Sequence, residues 1–417
     1  MLGRTLFPFV LVGLAGAVGA WGGPAAAEVL HHWTQFGPGS RLIARVVTDG
    51  TPCPSITVDG ETLPMEQRAA PEAGFETRVC EAALPTGATK ASLGDRRFPL
   101  LSGAVERIAV IGETGCRVKG ERVQACNDPV QWPFASVAGA VAKHNPDLIL
   151  HLGDYHYRES ECPAGADCQG SPFGDNGPTW EADWLAPAQS LFAQAPLVLT
   201  RGNHEQCGWA WKGWARYLAP GPLPPSCTII EDPWTVRLPG LELIVFDSSY
   251  GPADRSAPEN LERMRRMAEA TFAGLRNEAW LLTHRPLWVR YDPRGSDGDV
   301  TQRAAFADTM PDAVALVLSG HIHSFQAFDM TAGVSQVVSG NAGVTLYPAP
   351  DETVHDIIVG GDKVRMATSD SGFGFVIIER QDDGHWRLDA FDVAGVLRRS
   401  CQVKGQEIAC VAAASDR

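Results

Sequence analysis

Two hydrophobic rhythms divide this chain. From Glu28 to about Gly103, short runs such as Leu42-Ile43-Ala44-Arg45-Val46-Val47 and Ser55-Ile56-Thr57-Val58 are separated by the dipeptides Asp49-Gly50 and Asp59-Gly60. Strand-length runs closed by Asp-Gly turns predict a small β domain over 28–103. From about Val105 the style changes: apolar runs of strand length alternate with amphipathic stretches, including a helix candidate over 258–275 rich in Glu and Arg. That alternation predicts an α/β domain over 104–395. After His323 the pattern becomes β-rich again, with Val337-Val338 and Phe375-Val376-Ile377-Ile378, and 396–417 reads as a hairpin and tail.

Five of the apolar runs end in polar clusters. Residues 108–111 precede Gly112-Glu113-Thr114-Gly115, and 148–150 precede His151-Leu152-Gly153-Asp154-Tyr155-His156-Tyr157. Residues 197–199 lead to Arg201-Gly202-Asn203-His204-Glu205, 280–282 to Thr283-His284-Arg285-Pro286, and 314–318 to Gly320-His321-Ile322-His323. Each cluster alone also reads as a capped strand-to-helix turn. Together they invite another reading, because ligands of open α/β sheets collect beyond the carboxyl ends of the strands. Glu113, Asp154, Tyr157, Asn203, His284, His321 and His323 offer oxygen and imidazole donors without a thiolate, a set suited to iron, manganese or zinc. Seven donors exceed one tetrahedral ion and fit two ions sharing a carboxylate, with Asp154 as the bridge. Ion pairs roughly 3.5 to 4 Å apart stabilise both the attacking and the leaving oxygen in phosphoryl displacement. His144, His151 and His156 are expected to have packing or surface roles, and His31 and His32 to lie on the surface.

The ordered set Gly-Asp-x-x-Tyr, Gly-Asn-His-Glu, a lone His before Arg-Pro, and Gly-His-x-His resembles the calcineurin-like metallophosphoesterases, most of all the purple acid phosphatase branch. The resemblance covers Val105 to roughly Asp392. It implies two β-sheets packed face to face with helices outside, a four-layer α/β/β/α sandwich, preceded here by the small β-rich domain, itself expected to be a sandwich. It further implies that Asp154 bridges two metal ions, with Tyr157 and His323 on the first and Asn203, His284 and His321 on the second. His204 would be the acid near the leaving group, and a metal-bound hydroxide would attack phosphorus. A free phenol has a pKa near 10 and needs a strong Lewis acid to bind as phenolate at neutral pH, so Tyr157 implies Fe(III) at the first site, with Fe(II), zinc or manganese at the second. Glu113 departs from the family pattern, which has Asp there. It is expected to be a ligand of the first ion, and the rival expectation is a non-catalytic or weakly active phosphate-binding protein on the same fold.

Composition narrows the partners. A net charge of -14 with no basic stripe argues against a nucleic-acid polymer and leaves small phosphate esters, monoesters before diesters. Arg201 and Arg285, beside the ligands, are candidates to hold a phosphate oxygen. No Gly-x-Ser-x-Gly elbow supports a serine hydrolase. Arg4, the apolar run 6–18 and Pro24-Ala25-Ala26-Ala27 have the regions of a secretory signal over 1–27, after whose removal no membrane association is expected. Pairing each of the ten cysteines with its sequence neighbour would join Cys53 to Cys80, Cys116 to Cys126, Cys162 to Cys168, Cys207 to Cys227 and Cys401 to Cys410, although sequence alone does not fix the connectivity. That set suits an oxidising compartment and a periplasmic or secreted protein, and the lack of any Asn-x-Ser/Thr acceptor fits a bacterial periplasm better than a eukaryotic secretory route.

Overall fold

Alternation along the central strands decides the architecture. A computed structural model describes residue 3 and residues 28–251 and 257–413; apart from residue 3, the expected leader lies outside the described residues. The strands that matter most are β1 (Val29–Gly37), β2 (Arg41–Thr48), β3 (Arg107–Ile111), β4 (Leu148–His151), β5 (Leu197–Leu199), β6 (Leu241–Phe246), β7 (Ala279–Thr283) and β8 (Val314–Ser319). In one sheet of eleven strands, β3, β4 and β5 run parallel, with Leu150 opposite both Val110 and Val198. In a second sheet of eight, β6, β7 and β8 run parallel, with Leu282 opposite Val245 and Leu318.

Odd and even positions go to different cores, as a period of two requires. Ile108, Val110, Leu148, Leu150 and Val198 of the first sheet share a core with Leu243, Val245, Trp280, Leu282, Leu316 and Leu318 of the second. The intervening Ala109, Ile111, Ile149, Leu197 and Leu199 pack with residues of α1 (Phe134–Lys143) and α2 (Gln189–Gln194). Ile244, Phe246, Ala279 and Leu281 pack with Met264 and Ala268 of α3 (Pro258–Phe272) and Phe306 of α4 (Val300–Phe306). Each central strand therefore divides its side chains between a core common to both sheets and one shared with helices. The loops that leave the carboxyl ends of these strands carry the polar clusters.

The N-terminal region is β-rich, as its rhythm predicts, but it shares the sheet of the rest of the chain. β1 lies between β5 and β2, with Gln35 opposite Leu197 and Gln35 Nε2 donating to the Leu218 carbonyl at 2.8 Å. A separate four-stranded sheet packs Ile56, Val58 and Ala91 against Ala44, Val46, Cys80 and Ala82. The sandwich there thus has one leaf of its own and borrows the other from the large sheet. The change of rhythm near residue 103 marks no break in that sheet, and the Leu397–Lys404 and Glu407–Ala412 hairpin likewise extends its opposite edge. His31 is correspondingly not a surface residue: it is 5% exposed, with Nε2 2.7 Å from Glu181, because β1 is an interior strand.

All five neighbour cysteine pairs form. Three of them, Cys116 with Cys126, Cys162 with Cys168 and Cys207 with Cys227, tie loops that leave the polar strand ends. Of the tryptophans in the 206–227 loop, Trp214 is core and Trp209 is 44% exposed. Among the described residues no helix is long and apolar enough to cross a membrane.

Candidate metal centre

The strand ends turn sharply, and the turns aim the side chains. Glu113 and Asp154 have φ of 60° and His321 has φ of 67°, three of only seven non-glycine residues with positive φ among those described. Such backbone costs on the order of 1–3 kcal/mol per residue and gathers at functional sites. Gly202 completes the fit: a Cβ there would overlap the backbone nitrogen and carboxylate of Asp154.

Two buried carboxylates hold these turns from behind. Glu205 accepts from the backbone N–H of Asp154 (3.1 Å), Tyr155 (2.8 Å), His156 (3.1 Å) and Gly202 (3.0 Å). Asp183 accepts from Tyr157 N–H at 2.9 Å and Cys116 N–H at 3.1 Å, and pairs with Arg158 at 2.6 Å. Reading the sequence assigned neither a role. Glu205 was visible as the last residue of Gly-Asn-His-Glu, whereas Asp183 carried no local signal.

All seven expected donors come together. The Tyr157 hydroxyl donates to Glu113 Oε2 and lies 2.8 Å from Asp154 Oδ2 and 3.2 Å from His323 Nε2. Asp154 Oδ2 is 3.3 Å from His284 Nε2, which is 3.0 Å from Asn203 Oδ1 and 3.2 Å from His321 Nδ1. Donor atoms of Asp154, His284 and His321 all fall within 4.8 Å of one another, a spacing that can hold an ion. The far nitrogens are already engaged: His284 Nδ1 is 2.8 Å from the Leu152 carbonyl and His323 Nδ1 is 2.6 Å from that of Thr345. Carbonyl acceptors there place the proton on Nδ1 and leave Nε2 free to ligate. Glu113 sits in a left-handed turn, and its carboxylate ends 3.4 Å from His323 Nε2.

His204 stands over this cluster, its ring 4.0 Å from that of Tyr157 and its Nε2 3.9 Å from Asp154 Oδ2. Its Nδ1 is 2.6 Å from Glu159, which also meets Lys119 at 2.6 Å, and Lys119 lies over exposed Trp209. Glu159 was missed from sequence because nothing local links it to residue 204. The two arginines part company. Arg201 donates to the carbonyls of Glu205 and Thr228 and reaches Asp247, all within the protein. Arg285 Nη1 lies 3.2 Å from His321 Nε2, at the cluster.

Electrostatics suit cations. Burial, with Asp154 beside it, pushes the Glu113 carboxyl well above its ordinary value. Burial also acts on Asp154, but His284, His204 and His321 outweigh it and hold that carboxyl well below the usual range. Burial and the adjoining carboxylates raise the Tyr157 phenol, so it ionises only if positive charge is supplied. Burial lowers His321 and His323, keeping both rings neutral and able to ligate. The Glu205 carboxyl is pushed up to about 8 by burial and by Asp154, against the pull of its backbone donors.

His151 packs rather than joining the cluster. Its ring stacks on Tyr155 at 3.9 Å, Nδ1 accepts from Gly153 N–H at 3.1 Å, and Nε2 meets the Thr114 hydroxyl at 3.0 Å. Burial holds its folded pKa well below 6.5. Its contribution to stability is therefore complete above pH 6.5 and is lost as pH falls, by about 1.4 kcal/mol per pH unit. In thermal unfolding followed from pH 6.5 to 4.5, His151→Gln is expected to make the fall in stability shallower by about one proton.

No curated protein matches the chain by sequence. Residues 107–325, just over half of the chain, match the family profile described as calcineurin-like phosphoesterase. Among solved structures, the purple acid phosphatase PPD1 from seeds of yellow lupin (Lupinus luteus) is similar with a TM-score of 0.57 and 14% identity, covering 91% of this chain and 74% of that one. PhoD is similar with a TM-score of 0.53 and 12% identity, covering 92% of each chain. At such identities the likeness is one of fold.

Proposed function

The chain belongs to the calcineurin-like phosphoesterase family, and from that premise we propose that it hydrolyses phosphate esters with two metal ions held by the strand-end cluster. One observation carries the reading: seven donors from five strand ends gather, with Asp154 among the other six and its Oδ2 2.8 Å from the Tyr157 hydroxyl and 3.3 Å from His284 Nε2. In this reading Asp154 would serve both ions, Glu113, Tyr157 and His323 would hold the first, and Asn203, His284 and His321 the second. When bound, such ions supply Lewis acidity, lowering the pKa of water and polarising phosphate oxygens. The protein's own residues do the rest. Glu205 and Asp183 fix the ligand-bearing turns, and Glu159 orients His204 so that Nε2 can give a proton to the departing alcohol. The five disulfides support export to an oxidising compartment.

Purified protein loaded with iron, zinc or manganese is expected to release phenolate from an aryl phosphate; a protein that holds two equivalents of metal yet turns over none of them would sink the proposal. Tyr157 makes Fe(III) the proposed ion of the first site, because only a strong Lewis acid offsets the raised phenol pKa. The iron-loaded protein is expected to absorb visible light through a phenolate-to-iron transition, and Tyr157→Phe to lose it. A colourless iron-loaded wild type would assign the site to zinc or manganese instead.

A further inference from the structure

We propose that Arg117 is a specificity residue for the departing alcohol, selecting phosphate monoesters whose alcohol part carries a second anionic group, a carboxylate or a further phosphate. The inference rests on the phosphoesterase reading above, in which His204 faces the departing oxygen.

The backbone at Arg117 is pinned on either side. Cys116 is bonded to Cys126, and its N–H donates to Asp183 at 3.1 Å. Arg117 N–H donates to Gln124 Oε1 at 3.1 Å, and its carbonyl accepts from Gln124 N–H at 2.8 Å. Val118 N–H donates to the Tyr157 carbonyl at 3.0 Å. From that fixed start the side chain reaches the strand-end cluster, where its Cζ lies 4.6 Å from the centre of the Tyr157 ring. The His204 ring lies 4.0 Å from the same ring. Acid and cation thus border one side chain, and the cation stands beside the path of the departing alcohol.

What sets Arg117 apart is a charge without a counter-charge. Among the described residues, no carboxylate pairs with its guanidinium and no oxygen or nitrogen accepts from it. The ring beneath attracts the cation through its quadrupole but supplies no such acceptor for the five N–H donors. Its neighbours are matched: Lys119, two residues on, has Glu159 at 2.6 Å, and Arg294 has Asp292 at 2.7 Å. In a chain with 49 acidic and 35 basic residues, a half-buried guanidinium with no carboxylate is out of balance with its surroundings. Burial raises the Tyr347 phenol, and Arg117 and Arg294 both act against it, which places the two cations around one hydroxyl. The Tyr347 ring stacks on that of His323 at 4.0 Å, so this is the rim of the cluster.

The reacting phosphate is not the anion that Arg117 takes. Its oxygens are drawn to the donors gathered at the Tyr157 hydroxyl, whereas Arg117 lies over the ring, next to His204. A group carried on the alcohol is what arrives there. A planar guanidinium gives a carboxylate or phosphate two parallel charge-assisted bonds, and gives a neutral substituent neither the charge nor the second bond.

The test compares wild type, Arg117→Gln and Arg117→Lys, as full-length, metal-loaded proteins, on phenyl phosphates bearing a carboxylate, a phosphonate or a neutral carboxamide at the meta or para position. The carboxamide matches the carboxylate in shape and lacks its charge. Wild-type kcat/KM is expected to favour the better anionic substrate over the carboxamide by about tenfold or more, mostly through KM. Arg117→Gln is expected to bring that ratio near one, and Arg117→Lys to keep part of it. A larger effect for the carboxylate assigns a carboxylated alcohol, and a larger effect for the phosphonate assigns a second phosphate. Calorimetric titration with benzylphosphonates bearing the same substituents, which contain no ester to cleave, reads the selectivity without turnover. A wild type indifferent to the charge, or equal losses on charged and neutral substrates in Arg117→Gln, overturns the proposal. Arg117-dependent preference for the charged benzylphosphonates in a protein that hydrolyses no ester would retain the anion site and remove the phosphoesterase reading.

Discussion

Asp154→Asn is expected to empty the site of metal and to lower phosphoesterase turnover by on the order of a thousandfold. The substitution is shape-preserving: Asn tolerates the left-handed backbone at φ 60°, and its oxygen can still accept the His204 backbone N–H that now lies 2.9 Å from Oδ1. What it removes is the charge at the centre of the cluster, 2.8 Å from the Tyr157 hydroxyl and 3.3 Å from His284 Nε2. Loss of one partner from a buried set of charges costs about 3–5 kcal/mol, and the middle of that range corresponds to about a thousandfold in affinity. Metal content after dialysis and turnover of an aryl phosphate measure the two effects together. Full metal occupancy with turnover within tenfold of wild type would remove Asp154 from the bridging position.

The second large effect is structural in origin. Glu205→Ala leaves four buried backbone N–H groups, those of Asp154, Tyr155, His156 and Gly202, without the carboxylate that now accepts them. At about 1 kcal/mol or more for each unsatisfied donor, the expected loss is at least about 4 kcal/mol, and the Tm is expected to fall by roughly 5 °C. Metal affinity should weaken as well, because these N–H groups belong to the turns that carry Asp154 and Tyr157. Glu205→Gln, which keeps one acceptor oxygen, is expected to lose less of both. Thermal unfolding with and without metal separates the contributions; an Ala variant within about 1 kcal/mol of wild type would mean that water replaces the carboxylate at little cost.

The reach of local sequence is visible in the two arginines. Both Arg201 and Arg285 adjoin a candidate ligand in the chain, yet one is taken up by the Glu205 and Thr228 carbonyls and the other arrives at His321. Nothing in their neighbours distinguishes them, since the direction of a side chain beyond a strand depends on how the following loop folds back. Arg294, which has no motif around it, reaches the same nitrogen because Asp292 and a nine-residue excursion carry it there. Glu159 and Asp183 follow the same rule: a carboxylate that orients another residue is recognised by the residue it meets, and that meeting is tertiary.

Continuous apolar runs of strand length were enough to mark the central strands, because each strand buries both faces, one in each core. The five polar clusters were legible for a related reason, as glycines, carboxylates and imidazoles directly after buried strands have few structural uses in common. The even number of cysteines was legible as a disulfide set, but the connectivity came from the structure, which joins each cysteine to its sequence neighbour. Tertiary structure alone decided that β1 enters the large sheet beside β5, because a pairing between Gln35 and Leu197 leaves no local trace. It alone brought Glu113, despite its added methylene, to the Tyr157 hydroxyl and His323, through a backbone turn that the amino-acid order permits but does not announce.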